Sequence, residues 1–207
     1  MNKKLYKFCV SLVRPILKIL FPYEVRGAEN LESISGGYVV CSNHLSNVDP
    51  IFLAVIHPHP ISFMAKDELF KNKLFGKFLR AVGVFPVKRG RGDKTALETS
   101  EQVLKSGDVL GIFIEGTRSK TGDFLKPRSG AAFIAAKAAS RVLPVCITGS
   151  GENGKIEIFK KTVISYGEAI APEMISCESR LELKDSTNLI MNSIKKLRGK
   201  EDENSSC

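Results

Sequence analysis

Short apolar runs alternate with amphipathic stretches along most of the chain, and polar loops separate them. The short runs have the length and content of buried strands, whereas the longer stretches repeat their apolar positions at helical spacing. The predicted strands are 38–42, 61–65, 109–115 and 142–148, with a hairpin or two edge strands at 155–159 and 162–166. The predicted helices are 69–79, 94–105, 130–140 and 180–198. Strands that alternate with helices predict one α/β domain with a mostly parallel central sheet flanked by helices.

The first 22 residues predict an amphipathic helix with a basic side, kinked or broken at Pro15. Such a helix can lie in the headgroup region of an anionic bilayer. Because Arg14 and Lys18 interrupt the apolar run, it is a poor spanning segment, and no cleavage site of a signal peptide follows. The alternative is a surface helix packed on its own domain. The basic residues are Lys3, Lys4, Lys7, Arg14 and Lys18; the apolar ones are Leu5, Phe8, Cys9, Leu12, Val13, Ile16, Ile19 and Leu20.

The chain divides into three segments on this pattern. Residues 1–24 form the membrane-interface helical segment, 25–199 form the globular domain, and 200–207 form a tail that we expect to be disordered. The length of 207 residues, with 43% apolar and 26% charged residues, suits a single domain with a substantial core.

Composition narrows the possible partners. A net charge of +9 and a pI near 9.3 point to a membrane surface, a phosphorylated substrate, an acidic carrier protein or a nucleic acid. Because the chain has no Trp, binding of a nucleic acid by base stacking is weakly supported. Five scattered cysteines indicate a reducing compartment, without a disulfide framework or a zinc site. His57 and His59 have no third metal ligand nearby and are expected to be exposed turn residues.

A polar loop at 42–50 lies between two apolar runs and carries His44 and, five residues later, Asp49. A base and a carboxylate on such a loop are candidates for chemistry. Pro50 suits the first turn of a helix, with Asp49 as its N-cap. Residues five apart on one helix point about 140° away from each other. We therefore predict that the loop turns His44 back over the start of the helix, toward Asp49.

Two glycine-containing loops carry cations. The first, at 83–92, follows a short strand and includes Arg89. The second follows the apolar run 109–115 and includes Arg118, whose guanidinium suits a phosphate. This loop is not a Walker A loop, because the glycine-lysine-hydroxyl ending is missing. Glu115, at its start, either belongs to a site or is a carboxylate tied to the backbone of its own loop.

Four blocks in order make the chain similar to the HxxxxD glycerolipid acyltransferase family, and most closely to its 1-acyl-sn-glycerol-3-phosphate acyltransferases. The first block is Asn43-His44-x-Ser46-x-x-Asp49, the HxxxxD motif. The second is Phe-Pro-Val-Lys-Arg at 85–89, the third is Phe-Ile-Glu-Gly-Thr-Arg-Ser at 113–119, and the fourth is Val-Leu-Pro-Val at 142–145. HxxxxD alone occurs often by chance, whereas all four blocks in this order, over about half the chain, are specific.

The resemblance implies transfer of an acyl group from acyl-CoA or acyl-carrier protein to the sn-2 hydroxyl of 1-acyl-sn-glycerol-3-phosphate (lysophosphatidic acid). The product is phosphatidic acid, in phospholipid biosynthesis at the cytoplasmic face of the cell membrane. The resemblance makes His44 the general base and Asp49 the carboxylate that orients it. It requires no metal and no cofactor. The acceptor-binding residues that it implies are Lys66, Arg89, Glu115, Gly116, Thr117 and Arg118.

Three alternatives remain open at the level of the sequence. The acceptor could be glycerol-3-phosphate or another lysophospholipid. The chain could be a non-catalytic module that binds anionic membranes through its basic helix. It could also be a hydrolase that uses His44 with a protein nucleophile, for which Ser46 is the nearest serine.

Overall fold

A computed structural model describes residues 1–32, 34–88, 93–152 and 155–204. Within these ranges the chain forms six α-helices and nine strands. The helices are α1 (Lys3–Leu20), α2 (Asp49–Ile56), α3 (Lys73–Ala81), α4 (Lys94–Lys105), α5 (Gly130–Lys137) and α6 (Arg180–Asn204). The strands are β1 (Tyr23–Arg26), β2 (Tyr38–Ser42), β3 (Ile61–Lys66), β4 (Val84–Val87), β5 (Val109–Phe113), β6 (Arg141–Thr148), β7 (Gly151–Glu152), β8 (Lys155–Ile156) and β9 (Thr162–Tyr166).

Seven strands form one sheet in the order β1-β9-β6-β2-β5-β3-β4, and β7 pairs with β8 separately. The strands β6, β2, β5, β3 and β4 are parallel to one another, whereas β9 runs antiparallel to β6 and carries β1 along its other side. The prediction of a single α/β domain with a mostly parallel sheet is therefore confirmed. The strand predicted at 162–166 is confirmed as β9, but it lies in the interior of the sheet between β6 and β1, so it is neither an edge strand nor half of a hairpin with 155–159.

Side chains of the central strands alternate between two apolar layers. Val40 of β2 points into the layer covered by α1 and α2, whereas Val39 and Cys41 point into the layer covered by α4, α5 and α6. The chain crosses from β2 to β3 and from β3 to β4 in the same direction, so right-handed connections place α2 and α3 on one face of the sheet. The connections through α4 and α5 run in the opposite direction, and these helices cover the other face.

Helix α1 is continuous from Lys3 to Leu20 and includes Pro15, so the predicted break does not occur. The helix is anchored on the domain by polar contacts as well as by apolar ones. The Tyr6 hydroxyl donates to the Ala54 carbonyl and accepts from the Ile61 amide, both at 3.2 Å. Among the described residues, no helix is both long enough and apolar enough to cross a bilayer.

The apolar residues of α1 form two stripes, and the buried stripe includes Tyr6, Val10 and Leu17, which lie outside the predicted apolar face. One stripe is packed against the sheet layer; it consists of Tyr6, Val10, Val13, Leu17 and Leu20. The other stripe is exposed; it consists of Phe8, Leu12, Ile16 and Ile19. Two of the predicted basic residues also contact the domain: Arg14 donates to the Val55 carbonyl at 2.7 Å and Lys3 pairs with Asp108 at 2.8 Å. The helix is thus part of the fold and still presents an apolar and basic outer surface.

Three other helices differ from their predicted bounds, and one of them, α5, ends at Lys137 rather than at residue 140. The stretch 69–79 forms a 3₁₀ turn at Asp67–Phe70 and then α3, because the Asn72 side chain caps a new helix by accepting from the Leu74 and Phe75 amides. Helix α6 continues to Asn204, into the predicted tail at 200–207, and residues 205–207 lie outside the described ranges.

Candidate active site

Candidate residues that are far apart in the sequence lie at one edge of the sheet. His44, Glu115 and Ser150 follow the carboxyl ends of β2, β5 and β6, and Lys66 ends β3. These strands are parallel and adjacent, so their carboxyl ends lie at the same edge of the sheet. From β2 the chain crosses toward β3, and from β5 it crosses the other way toward β6. The crevice at such a reversal is where open α/β sheets bind ligands.

The His44 and Asp49 side chains meet, as their spacing predicted. The Nδ1 nitrogen of His44 lies 2.8 Å from the Oδ2 oxygen of Asp49. Asp49 is completely buried, whereas the His44 side chain is 13% exposed. With Nδ1–H donating to the carboxylate, the lone pair of a neutral imidazole lies on Nε2, which has no hydrogen-bond partner among the described residues. The arrangement can remove a proton from a hydroxyl group placed at Nε2.

Asp49 is held by donors from two parts of the chain, the His44 loop and Ser150. Besides His44, its Oδ2 oxygen accepts from the Leu45 amide at 2.7 Å and the Ser46 amide at 2.8 Å, and its Oδ1 oxygen accepts from the Ser150 hydroxyl at 2.5 Å. Asp49 is the first residue of α2 and binds amides of the preceding loop, so the predicted N-cap role is wrong. Ser150 is fully buried, and sequence reasoning missed it because it lies 101 residues away from its partner.

Aromatic stacking fixes the plane of the His44 ring. The ring lies on Phe113 with centroids 4.0 Å apart, and Phe113 in turn stacks on Phe63 at 6.1 Å. Phe63 fits beside β5 because position 111 is glycine: a Cβ atom there would lie 2.3 Å from the Phe63 ring. The strand glycine at 111 thus permits the stack that supports the imidazole.

Backbone contacts join the His44 loop to the loop that follows β5. The Ser119 amide donates to the His44 carbonyl at 2.8 Å, so the first and third sequence blocks touch directly. On the other side, the Asn43 side chain makes two hydrogen bonds of 2.8 Å with the backbone of Ile147 in β6. Asn43 is fully buried, and its two hydrogen bonds hold the start of the His44 loop against β6.

Glu115 lies at the end of β5, only 2% exposed. Neither of its carboxylate oxygens has a hydrogen-bond partner of good geometry among the described residues. Burial raises the pKa of Glu115 to about 7, although the nearby Leu125 amide and the Arg198 charge lower it. Glu115 is therefore a buried group that can either accept or donate a hydrogen bond near neutral pH.

The cations of the predicted phosphate site are exposed at the same edge. Lys66 ends β3, and Arg118 follows the neighbouring strand β5. Arg89 lies outside the described residues. A further cation that sequence reasoning missed, Arg128, is exposed and packs over Gly116, whose φ of +68° is in the left-handed region.

Helix α6 contacts the segment that follows Arg118. Arg198 donates to the Gly122 carbonyl at 2.9 Å, and its guanidinium lies 4.2 Å from the centre of the Phe124 ring. Sequence reasoning treated α6 only as a polar closing helix, because nothing in the sequence relates position 198 to position 122.

Two sequence-based expectations for polar residues change. Ser46, the candidate protein nucleophile, is 1% exposed, and its hydroxyl oxygen lies 3.4 Å from the Val48 amide inside the loop. His57 is buried rather than exposed: the Tyr38 hydroxyl lies 3.0 Å from its Nε2, and burial lowers the pKa of His57 to about 4. His59 is exposed, as expected. His44 is thus the histidine placed at the crevice.

The chain belongs to the acyltransferase family, whose model matches residues 22–148. It is therefore an acyltransferase enzyme. The match begins just before β1 and ends with β6, so it spans the described parts of all four blocks.

Relatives and a solved structure agree with this assignment. The chain is 34% identical over 203 residues to the 1-acyl-sn-glycerol-3-phosphate acyltransferase of Bacillus subtilis (strain 168), covering 96% of this chain and all of that protein. It is 34% identical over 158 residues to the protein of the same name from Helicobacter pylori (strain J99), covering 71% of this chain and 67% of that protein. The crystal structure of PlsC from Thermotoga maritima, a 1-acyl-sn-glycerophosphate (LPA) acyltransferase, has the same fold, with a TM-score of 0.72 at 24% identity, covering 96% of this chain and 83% of that one.

Proposed function

We propose that this acyltransferase transfers an acyl group from a thioester, acyl-CoA or acyl-carrier protein, to the sn-2 hydroxyl of 1-acyl-sn-glycerol-3-phosphate, which gives phosphatidic acid. The observation that carries the proposal is the buried Asp49 bonded to Nδ1 of the partly exposed His44, in a loop that contacts the segment after β5 through Ser119. The names of the relatives support the choice of acceptor.

In the proposed reaction His44 first accepts a proton and later donates it. Nε2 takes the proton of the sn-2 hydroxyl while its oxygen attacks the thioester carbonyl, and Asp49 stabilises the imidazolium that forms. The tetrahedral intermediate then expels the thiolate, which takes the proton from His44. The products are the ester and a free thiol, and His44 is neutral again. Because the substrate hydroxyl is the nucleophile, no serine of the protein needs to be acylated.

Backbone amides near the crevice are candidates to stabilise the oxyanion. The Gly116 amide donates to the Phe113 carbonyl at 3.0 Å and closes the turn. The Thr117 amide has no acceptor among the described residues and is the better candidate. Glu115, when protonated, can donate to an acceptor oxygen from the wall of the same crevice.

The acceptor phosphate is assigned to the cations at this edge. Arg118 and Lys66 would hold it, together with Arg89, and the exposed Arg128 lies next to the same turn. A phosphate held there places the glycerol hydroxyls on the side of His44, since both groups follow the ends of β2 and β5.

We also propose that the protein is a peripheral, interfacial enzyme at the cytoplasmic face of the cell membrane. The exposed stripe of α1 and the lysines beside it support this location. An enzyme seated in the interface can take an acceptor laterally from the bilayer, without exposing an acyl chain to water at about 0.8 kcal/mol per CH₂.

The direct test is an acyl-transfer assay with the purified full chain, labelled acyl-CoA or acyl-carrier protein, and a panel of acceptors. We expect labelled phosphatidic acid from lysophosphatidic acid, and no turnover after His44→Ala in a protein that stays folded by circular dichroism. Transfer only to glycerol-3-phosphate or to another lysophospholipid would contradict the acceptor, and no transfer with either donor would contradict the reaction.

Arg118→Ala tests the phosphate site. We expect it to raise chiefly the KM for the phosphorylated acceptor, because the lost contact binds the ground state and the transition state alike. Lys184→Ala, on the exposed surface of α6, is the matched control. A change confined to the KM of the acyl donor would contradict the assignment.

A further inference from the structure

Helix α3 exposes three large apolar side chains. The exposed fractions are 83% for Leu74, 47% for Phe75 and 43% for Phe78. The helix rests on the preceding turn through Gly76, its one buried residue, where a Cβ atom would lie 3.0 Å from the Phe70 carbonyl oxygen. The side of α3 that faces away from Gly76 is therefore uncovered, although it carries the most apolar residues of the helix.

The arrangement of charge on α3 fits an anionic surface. At about 100° per residue, Leu74, Phe75 and Phe78 fall within an arc of about 100°. Lys73 and Lys77 are exposed along one border of this arc, and the helix contains no acidic residue.

We propose that this apolar arc of α3 is a second membrane contact, which inserts into the headgroup and upper acyl region of an anionic phospholipid bilayer. The inference rests on interfacial binding in the proposed function and extends it from one helix to two. An apolar arc with a lysine border is the pattern of a helix that lies in a bilayer interface.

The position of α1 next to α3 supports a bilayer as the partner of the apolar arc of α3. The Asn2 amide donates to the Ala81 carbonyl at 2.8 Å, so the start of α1 adjoins the end of α3. Both helices cover the same face of the sheet, and the exposed stripe of α1 carries the same combination of large apolar side chains and nearby lysines.

The position of α3 also relates the proposed membrane contact to the entry of the lipid acceptor. Only the 3₁₀ turn Asp67–Phe70 and two residues separate α3 from Lys66, at the edge where the acceptor phosphate is assigned. A bilayer bound at α3 would therefore lie beside the mouth of the crevice, on the side from which a lipid acceptor enters.

The absence of tryptophan from the chain makes a clean test possible. Phe75→Trp introduces a single indole into the apolar arc, and Leu181→Trp introduces one at an exposed apolar position of α6, on the other side of the sheet. With vesicles of phosphatidylcholine and phosphatidylglycerol, we expect a blue shift of emission and quenching by brominated acyl chains for Phe75→Trp only. Unshifted emission from Phe75→Trp in the presence of bound vesicles would overturn the proposal.

A second measurement uses the removal of apolar surface. We expect Leu74→Ser with Phe78→Ser to weaken vesicle binding by about tenfold or more, since two partly inserted side chains are lost, while Leu181→Ser leaves it unchanged. Transfer to a short-chain acceptor below its critical micelle concentration should persist in all variants. Unchanged vesicle binding would overturn the proposal; a lack of short-chain transfer in the unsubstituted chain would instead contradict the proposed function.

The same indole distinguishes a bilayer from a second copy of the chain. If α3 were a dimer contact, the blue shift would appear without vesicles as protein concentration rises, together with a doubled mass in analytical ultracentrifugation. That result would overturn the membrane contact.

Discussion

Four donors surround the side chain of Asp49 inside the protein. Two are amides of the His44 loop, one is the His44 ring and one is the Ser150 hydroxyl. A buried carboxylate is tolerated only when its oxygens are bonded in this way. The same contacts leave the carboxylate a single orientation, and through it they orient the imidazole.

Removal of the Ser150 hydroxyl should loosen this orientation. For Ser150→Ala we expect kcat to fall about tenfold with little change in either KM, because one hydrogen bond to a charged group is worth about 1.5–3 kcal/mol. The control is Ser100→Ala, since Ser100 is also fully buried but bonds to the Ala96 carbonyl of its own helix. Steady-state rates of both variants, with thermal unfolding curves, would test this prediction. An equal loss of kcat in both variants would contradict a role for Ser150.

Glu115 should make stability depend on pH. Burial raises its pKa from an ordinary 4.5 to about 7, so between these values the folded state binds more protons than the unfolded state. Stability contributed by the protonated group is therefore complete below about pH 4.5 and is lost as pH rises through 7, by at most about 3 kcal/mol. Glu115→Gln should remove this decline. Urea unfolding at pH 5 and pH 8 would measure it, and an equal decline in both proteins would contradict the assignment.

At the scale of elements, α1 combines two roles that its sequence does not separate. Leu17 is 4% exposed and belongs to the apolar layer under the sheet, whereas the adjacent Ile16 is 52% exposed. Deletion of the whole helix would remove core packing together with the outer surface. Single substitutions on each stripe are therefore the sharper way to separate folding from membrane binding.

We expect Leu17→Ala to lower the free energy of unfolding by about 2–4 kcal/mol, because it leaves a cavity in the core. Ile16→Ala should change it by no more than about 0.5 kcal/mol, since the site is on the surface. Vesicle binding should show the reverse order, with the larger loss for Ile16→Ala. Urea unfolding and vesicle sedimentation of the two variants would test this; similar stability losses would contradict the division into two stripes.

At the scale of the whole molecule, the net charge of +9 predicts how the protein approaches a membrane. Binding to phosphatidylglycerol vesicles should weaken as NaCl rises from about 0.05 to 0.5 M, because the Debye length falls from roughly 14 to 4 Å. Binding to phosphatidylcholine vesicles should be weaker and nearly independent of salt. Vesicle sedimentation across this range of NaCl concentrations would measure the binding. A salt-independent affinity for the anionic vesicles would contradict an electrostatic contribution.

The sequence by itself determined those helices and strands that depend on residues close together along the chain. Periodicity identified β2, β5 and β6, and it located α4 at its observed bounds, since alternation and capping act between neighbours along the chain. The spacing of His44 and Asp49 was enough to exclude a shared helical face. The four motif blocks, in their order along the chain, indicated the acyltransferase family, because each block can be read directly from the sequence.

Tertiary structure alone decided the contacts that join distant segments. Ser150 on Asp49, Arg198 on the Gly122 loop, and Phe63 beneath Phe113 each pair residues that no sequence period relates. It also decided which apolar residues are exposed: α1 has an apolar face wider than its contact with the sheet, and only packing divides that face into a buried stripe and an open one. The physical reason is that burial depends on the partner surface, which the sequence of one helix does not contain.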